Sequence, residues 1–281
     1  MIDPAARIGA VHITIPDLRR SVRFYEDRLG FLVHRRDERT AWLGAGGSDL
    51  LVLSQRDAAP RVRGTTGLYH FAILVPSRAD LARALRRLTD TSTVMQGAAD
   101  HGVSEALYLA DEDGNGIEIY RDRPRAEWPV AGGRLQLVTS PLDLDALLAE
   151  AVGSDRGAGL ARGTVIGHVH LQVSRLADAE AFYVGLLGFE LTQRYGRSAL
   201  FVSAGGYHHH IGLNTWAGVG APPPPAGSIG LRHFVVSLPN EQALAAVAER
   251  LRVAGIASEP VEGGLLIRDP AMNAMLLKTQ G

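Results

Sequence analysis

The chain repeats itself, and the repeat limits what it can fold into more than any other feature. Phe24-Tyr25 follows His12 by twelve residues, and Leu29-Gly30-Phe31 comes next. Phe182-Tyr183 follows His170 by the same twelve residues, with Leu187-Gly188-Phe189 at the same further spacing. Two more stretches open alike, His70 in YHFAIL and His233 in RHFVV, so four segments begin a β-branched or aromatic run with a histidine. Only one closes with a carboxylate, Glu118 in GNGIEIY. A repeat unit of roughly 50–60 residues cannot bury its apolar face alone and has to pack against another unit. Histidines and a carboxylate at equivalent points of different strands are also the donor types of a metal site.

Within each unit the hydrophobic period changes in the same order. Strand alternation after His12 gives way to helical spacing at Val22, Tyr25 and Leu29, and Gly30 sits where a helix C-cap falls. In the second unit the strand HFAILV precedes Ser77-x-x-Asp80, a capping-box pattern, and then Leu81, Leu85 and Leu88. ALYLA, the turn DEDGNG and IEIY follow. The fourth unit runs from HFVVSL through EQALAAVAERL to the turn DPAMN and the strand AMLLK. A strand, a helix and about three more strands make each unit a βαβββ module, and the fold class α+β. Modules one and two fill residues 1–122, and modules three and four residues 164–281. The segment 123–163 between them is rich in Pro, Gly and Arg and reads as a linker. It carries one short helix after Ser140-Pro141, with Leu144, Leu147 and Leu148. The run APPPPAG at 221–227 reads as a stiff surface loop.

Composition narrows the chemistry. Lys and Arg number 29 against 30 Asp and Glu, so neither nucleic acid nor an anionic membrane is an expected partner. The absence of cysteine excludes disulfides, thiolate nucleophiles, Fe–S clusters and cysteine-bound zinc. Any metal must therefore be held by imidazole and oxygen. The start, MIDPAARIGA, lacks the basic and apolar regions of a signal peptide, and no apolar run reaches the ~18 residues of a membrane span. The expectation is a soluble, cytoplasmic protein, with a symmetric homo-oligomer as the general prior.

The segments GLYHFAIL (67–74), DHGVSEALYLAD (100–111), GNGIEIY (114–120), GHVHLQV (167–173) and GYHHHIGLNTW (206–216) carry a family resemblance over nearly the whole chain. The pattern resembles the vicinal oxygen chelate superfamily, in which βαβββ modules pair into open half-barrels. Within it the chain is similar to the two-domain ring-cleaving extradiol dioxygenases, close to the catechol 2,3-dioxygenase group. The FY–LGF and GNGIE motifs are common to the superfamily. The HHHIGLNTW and HGVSEALYLAD segments are more specific. The resemblance implies two half-barrels from four modules. It also implies Fe(II)-dependent cleavage of a small aromatic diol by O2, with insertion into the C–C bond beside the two hydroxyls.

Two neutral imidazoles and one carboxylate form a facial triad suited to Fe(II), with Mn(II) also accepted by the same donors. A base is needed for the second hydroxyl, and proton donors for later steps. In the resembling enzymes one module supplies a first-strand histidine as ligand and a last-strand histidine as acid–base. Its partner supplies a histidine and a glutamate as ligands, with a histidine and a tyrosine between them. Module two fits the partner role with His70, His101, Tyr108 and Glu118 in that order. Module three fits the other with His170 and His208-His209-His210. By this matching His70, Glu118 and His170 bind the metal, while His209, His101 and Tyr108 are catalytic, and modules two and three pair. The sequential alternative pairs module one with two and makes the triad His12, His70 and Glu118, but lacks the acid–base histidine. Module four offers His233, yet its glutamate position falls at Leu276. Strand alternation puts His209 on one face and His208 and His210 on the other, and a bulge would reverse the faces.

Each residue also has a plainer reading. A histidine at a strand start can be a hydrogen-bonded structural side chain, Glu118 can face solvent between Ile117 and Ile119, His101 can cap a turn and Tyr108 can be core. Two rival functions follow. A glyoxalase-like isomerase wants a further glutamate that neither SDLLVLS nor YHHHIGL provides. A metal-free binding protein of the bleomycin-resistance kind leaves the histidine–glutamate set superfluous. Substrate identity, catechol or hydroquinone, is set by pocket walls that sequence does not reveal.

Overall fold

A computed structural model of the chain describes residues 1–132, 134–151, 153 and 159–280. Residues 133, 152 and 154–158 of the expected linker lie outside the described part. Module one comprises β1 (Arg7–Ile15), the helix α1 (Leu18–Arg23), β2 (Leu32–Arg36), β3 (Thr40–Gly44) and β4 (Asp49–Gln55). Module two is β5 (Gly67–Leu74), α2 (Arg78–Asp90), β6 (Met95–Asp100), β7 (Ser104–Ala110) and β8 (Gly116–Asp122). The connecting segment holds the short strands β9 (Val130–Ala131), β10 (Arg134–Leu135) and β11 (Ser140–Pro141), and the helix α3 (Leu144–Ala149). Module three is β12 (Val165–Gln172), α4 (Leu176–Glu180), β13 (Glu190–Tyr195), β14 (Ala199–Ser203) and β15 (Ile211–Asn214). Module four is β16 (Gly230–Leu238), α5 (Glu241–Val253), β17 (Ser258–Val261), β18 (Gly264–Arg268) and β19 (Ala274–Thr279). Among the described residues no helix is long and apolar enough to cross a membrane.

The long strands form two open sheets. One has eight strands in the order β17-β18-β19-β16-β1-β4-β3-β2, the other nine in the order β11-β6-β7-β8-β5-β12-β15-β14-β13. By compactness the chain divides into two units, one of 1–12, 60–69 and the chain from 167 onward, the other of 13–59 and 70–166.

In the second of these units the FY–LGF motif does more than end a helix. α1 is capped by Asp17, whose side chain accepts the Arg20 N–H, and it runs into a π turn at Phe24–Leu29. Gly30, at φ 78°, closes the turn, and the Phe31 amide bonds back to the Tyr25 carbonyl at 3.0 Å. The widened turn leaves Tyr25 fully buried, with its hydroxyl donating to Asp111 Oδ2 at 2.8 Å. Asp111 in turn organises the DEDGNG loop. Its Oδ1 accepts the amides of Asp113 at 3.0 Å and Asn115 at 2.8 Å, and its Oδ2 also takes the Asn115 side chain at 2.8 Å.

The other unit repeats the device with different residues. α4 runs into a π turn at Ala181–Leu186, and the buried Tyr183 donates to Asp269 Oδ2 at 3.0 Å. Asp269 Oδ1 accepts the amides of Ala271 at 2.9 Å and Asn273 at 2.8 Å. Burial, reinforced by the facing carboxylate, lifts the ionisation of both phenols well above the ordinary tyrosine range. Burial also raises Asp111 and Asp269, against the lowering effect of their hydrogen bonds.

A buried carboxylate that loses one donor keeps its desolvation cost, so Tyr25→Phe should destabilise the protein by about 1–3 kcal/mol. Tyr183→Phe should do the same, and urea unfolding of each variant checks it.

Candidate metal centre and its flanking residues

The ladder between the first and last strand of module two sets the candidate ligands. β5 and β8 run parallel, with His70 opposite Gly116 and Ala72 opposite Glu118. Residues two apart on a strand share a face, so His70 and Glu118 point the same way. Both are buried, and His70 Nε2 lies 3.1 Å from Glu118 Oε2. A buried carboxylate needs a positive or proton-donating partner. The imidazole N–H provides one here, and a divalent cation between the same two atoms would provide a stronger one. β7 adds Tyr108 directly opposite Glu118. The Tyr108 ring lies 5.9 Å from that of His70, and its hydroxyl is 2.7 Å from His101 Nε2. The other ring nitrogen, His101 Nδ1, is 2.8 Å from the Val138 carbonyl. A carbonyl only accepts, so Nδ1 carries the proton, and in the neutral form of the ring Nε2 accepts the Tyr108 hydroxyl. On the same face Ala72, Ala106 and Tyr120 form a fully buried cluster, with Leu74 and Tyr108 packed against it.

In the other unit the corresponding parallel pair is β12 with β15. Here Val169 faces Ile211 and His170 faces Gly212. Laid over the module-two ladder, His170 stands where Ala72 stands, Gly212 stands where Glu118 stands, and His168 takes the place of His70. Distance from the strand end says the same. His70 precedes Pro76 by six residues and His168 precedes Ser174 by six, whereas His12 and His170 precede Pro16 and Ser174 by four. Spacing to the helix motif favours His170, and spacing to the strand end favours His168. In module four the same ladder puts Leu276 opposite Val235, which confirms an apolar residue at the glutamate position.

The surroundings of the two histidines differ accordingly. His170 sits among Tyr69, Trp216 and Phe201, with ring centroids 5.3, 5.2 and 5.6 Å away. A Cβ built on Gly212 would lie 2.8 Å from the His170 ring, so glycine is what makes room for it. His168 instead lies 4.1 Å from the His209 ring. The three consecutive histidines precede β15 rather than belonging to it, so strand alternation does not sort them. His210 Nδ1 accepts the Ala204 amide at 3.1 Å, and His208 Nδ1 lies 2.8 Å from His209 Nδ1.

His12 and His233 lie in the other sheet, ring to ring at 4.9 Å. Burial first, then the charges of His233 and Arg232, lowers His12 to about 3. Burial and Arg232 lower His233 to about 4.

The whole chain can now be set beside known proteins. Residues 7–119 and 165–274 match the family model of the Glyoxalase/Bleomycin resistance protein/Dioxygenase superfamily, and the chain belongs to that family. It is 46% identical, over 96% of its length and 95% of the relative's, to a protein of Bacillus subtilis strain 168 named catechol-2,3-dioxygenase. Its fold is also that of a candidate dioxygenase structure from Bacillus subtilis, with TM-score 0.67 at 15% identity over 97% of this chain and 85% of that one. Glyoxalase I from Zea mays shares the fold at TM-score 0.60 and 15% identity, over 97% and 92% of the two chains.

Histidines whose folded pKa is depressed bind fewer protons than in the unfolded chain, so the stability they contribute is present above about pH 6.5. It is lost as pH falls toward the folded values of about 3 for His12 and about 4 for His233. The denaturant midpoint should fall between pH 6.5 and 4, and the fall should be shallower in His12→Gln/His233→Gln.

Proposed function

We propose that the chain is an extradiol dioxygenase that uses Fe(II) and O2 to open a catechol-type ring beside its two hydroxyls. The observation that carries the reading is the 46% identity across 96% of the chain to a protein named for that reaction. The donor chemistry supports it, since two imidazoles and a carboxylate suit Fe(II), and Mn(II) as the nearest substitute. The proposed ligands are His70, Glu118 and His168, with His168 in place of the His170 favoured by the helix-motif spacing. Their support is the matching register of the β5–β8 and β12–β15 ladders and the burial of all three side chains. His170 then serves to pack the Tyr69–Trp216–Phe201 cluster. When bound, the metal supplies a Lewis-acid centre at which a diol is acidified and held.

Protons are handled by the protein. His101 and Tyr108 form a relay in which the phenol donates to neutral Nε2 and accepts from the imidazolium, so one proton can move in either direction between them. His209 is the proposed acid–base on the module-three side. Its ring adjoins His168, whereas the Nδ1 of His210 is engaged by the Ala204 amide.

Anaerobic loading with Fe(II), followed by catechol and air, should give a yellow ring-fission product with stoichiometric O2 uptake. No product from any catechol or hydroquinone would overturn the reading. Loss of a partner that merely orients a ligand costs about 10–100-fold in metal affinity, so His70→Ala, Glu118→Gln and His168→Ala should each lose about a hundredfold or more. His170→Ala should keep its metal. Metal retained by His168→Ala and lost by His170→Ala would restore His170 to the ligand set.

A further inference from the structure

The segment that joins the two module pairs makes an unusual contact for a linker. Val138 bonds to His101 twice. Its amide donates to the His101 carbonyl at 3.2 Å, and its carbonyl receives His101 Nδ1–H at 2.8 Å. Two residues on, β11 adds to the free edge of β6, pairing Ser140 with Asp100 and Pro141 with Ala99. The segment is therefore seated on the sheet by its own ladder. The turn under it is shaped to receive it. Gly102, at φ +73°, has no side chain where a Cβ would meet Pro129 Cγ at 2.9 Å and Val138 Cγ2 at 3.2 Å. The turn itself is held from below. Asp100 Oδ1 accepts the Gly102 amide at 2.9 Å, and Asp100 Oδ2 takes Arg123 Nη2 at 2.5 Å. Trp128 Nε1 donates to the Arg123 carbonyl at 2.9 Å, which draws the start of the segment onto the same place.

We infer that residues 136–141 form a positioning element that locks the tautomer of His101. A neutral imidazole in water exchanges its proton between two nitrogens, and only one arrangement leaves Nε2 free to accept from Tyr108. The Val138 carbonyl selects that arrangement. Val138 touches no reacting group and acts through His101. The hydroxyl of Thr139, 3.4 Å from His101 Nδ1, stands on the same side and leaves the preference unchanged. The catalytic consequence rests on the proposed roles of His101 and Tyr108, while the lock itself is a property of the fold.

The test is histidine 15N NMR on the full-length chain in its diamagnetic, metal-free form, with the His101 signal assigned by its disappearance in His101→Gln. The expected result is a single Nδ1–H tautomer for neutral His101. Gly102→Ala, which drives a methyl into Pro129 and Val138, should give a mixture with the Nε2–H form. Val138→Pro, which removes the amide that His101 O accepts, should do the same. General acid–base contributions are worth about 10²–10⁴-fold, and a misdirected group should lose about tenfold of that in kcat with KM within about twofold. Adding Pro129→Ala to Gly102→Ala should recover part of both signals. A wild-type Nε2–H tautomer would overturn the inference, as would variants that keep both the tautomer and kcat. The NMR result needs no turnover, so an Nδ1–H signal in a protein that opens no diol ring would overturn the proposed reaction and leave the lock standing.

Discussion

The bond from a buried tyrosine to a buried aspartate holds each unit together and aims its last strand. Tyr25 reaches Asp111, and Tyr183 reaches Asp269, across 86 residues in both cases. Each aspartate then fastens its own turn through two amides and an asparagine side chain. The turn at Asp111 ends one residue before β8 begins, so the same carboxylate that receives Tyr25 sets where Glu118 emerges. A neutral-donor hydrogen bond contributes modestly to stability, but an unsatisfied buried carboxylate costs more than the bond gains. That asymmetry ties the FY motif to the turn motif, although nothing local in either predicts the other.

Fixing the strand start matters because one side chain on it separates this sheet from its counterpart. The eight-stranded sheet carries His12 and His233 as a desolvated pair, with Leu276 where a carboxylate would stand. The nine-stranded sheet carries Glu118 beside His70. Similar scaffolds thus give an apolar, acid-sensitive histidine pair on one side and a donor set fit for a cation on the other. The connecting segment adds a second asymmetry, because it extends the module-two edge and grips His101.

Much of this was legible in the chain before any coordinates. The change from period two to period 3.6, the capping box at Ser77 and the glycine after Leu29 place the modules, since each reflects local backbone physics. Glu118, His70, His101 and Tyr108 stand together because they fall on consecutive strands of one module. His168 and His170 were harder. They are two residues apart, so alternation gives them the same face, and only a count to the end of the strand separates them. The three histidines at 208–210 resisted for another reason, since they lie before β15, where the side-chain period of a strand does not apply. The role of Val138 was not legible at all. A composition rich in proline and glycine reads as a linker, and a bond between residues 37 apart leaves no mark on either neighbourhood.

The glycine under His170 has a consequence for how such a protein can change. Giving module three its own carboxylate would require an acidic residue at position 212, where even a Cβ would collide with the imidazole ring. Module two escapes this collision because Ala72 occupies the matching place. A carboxylate on the module-three ladder would therefore need two replacements together, a smaller residue at 170 and an acid at 212. Placing the acid first would leave the strand overpacked, and shrinking His170 first would open a hole among Tyr69, Trp216 and Phe201. Sterics thus guard the difference between modules two and three in both directions, and it persists unless both positions change at once.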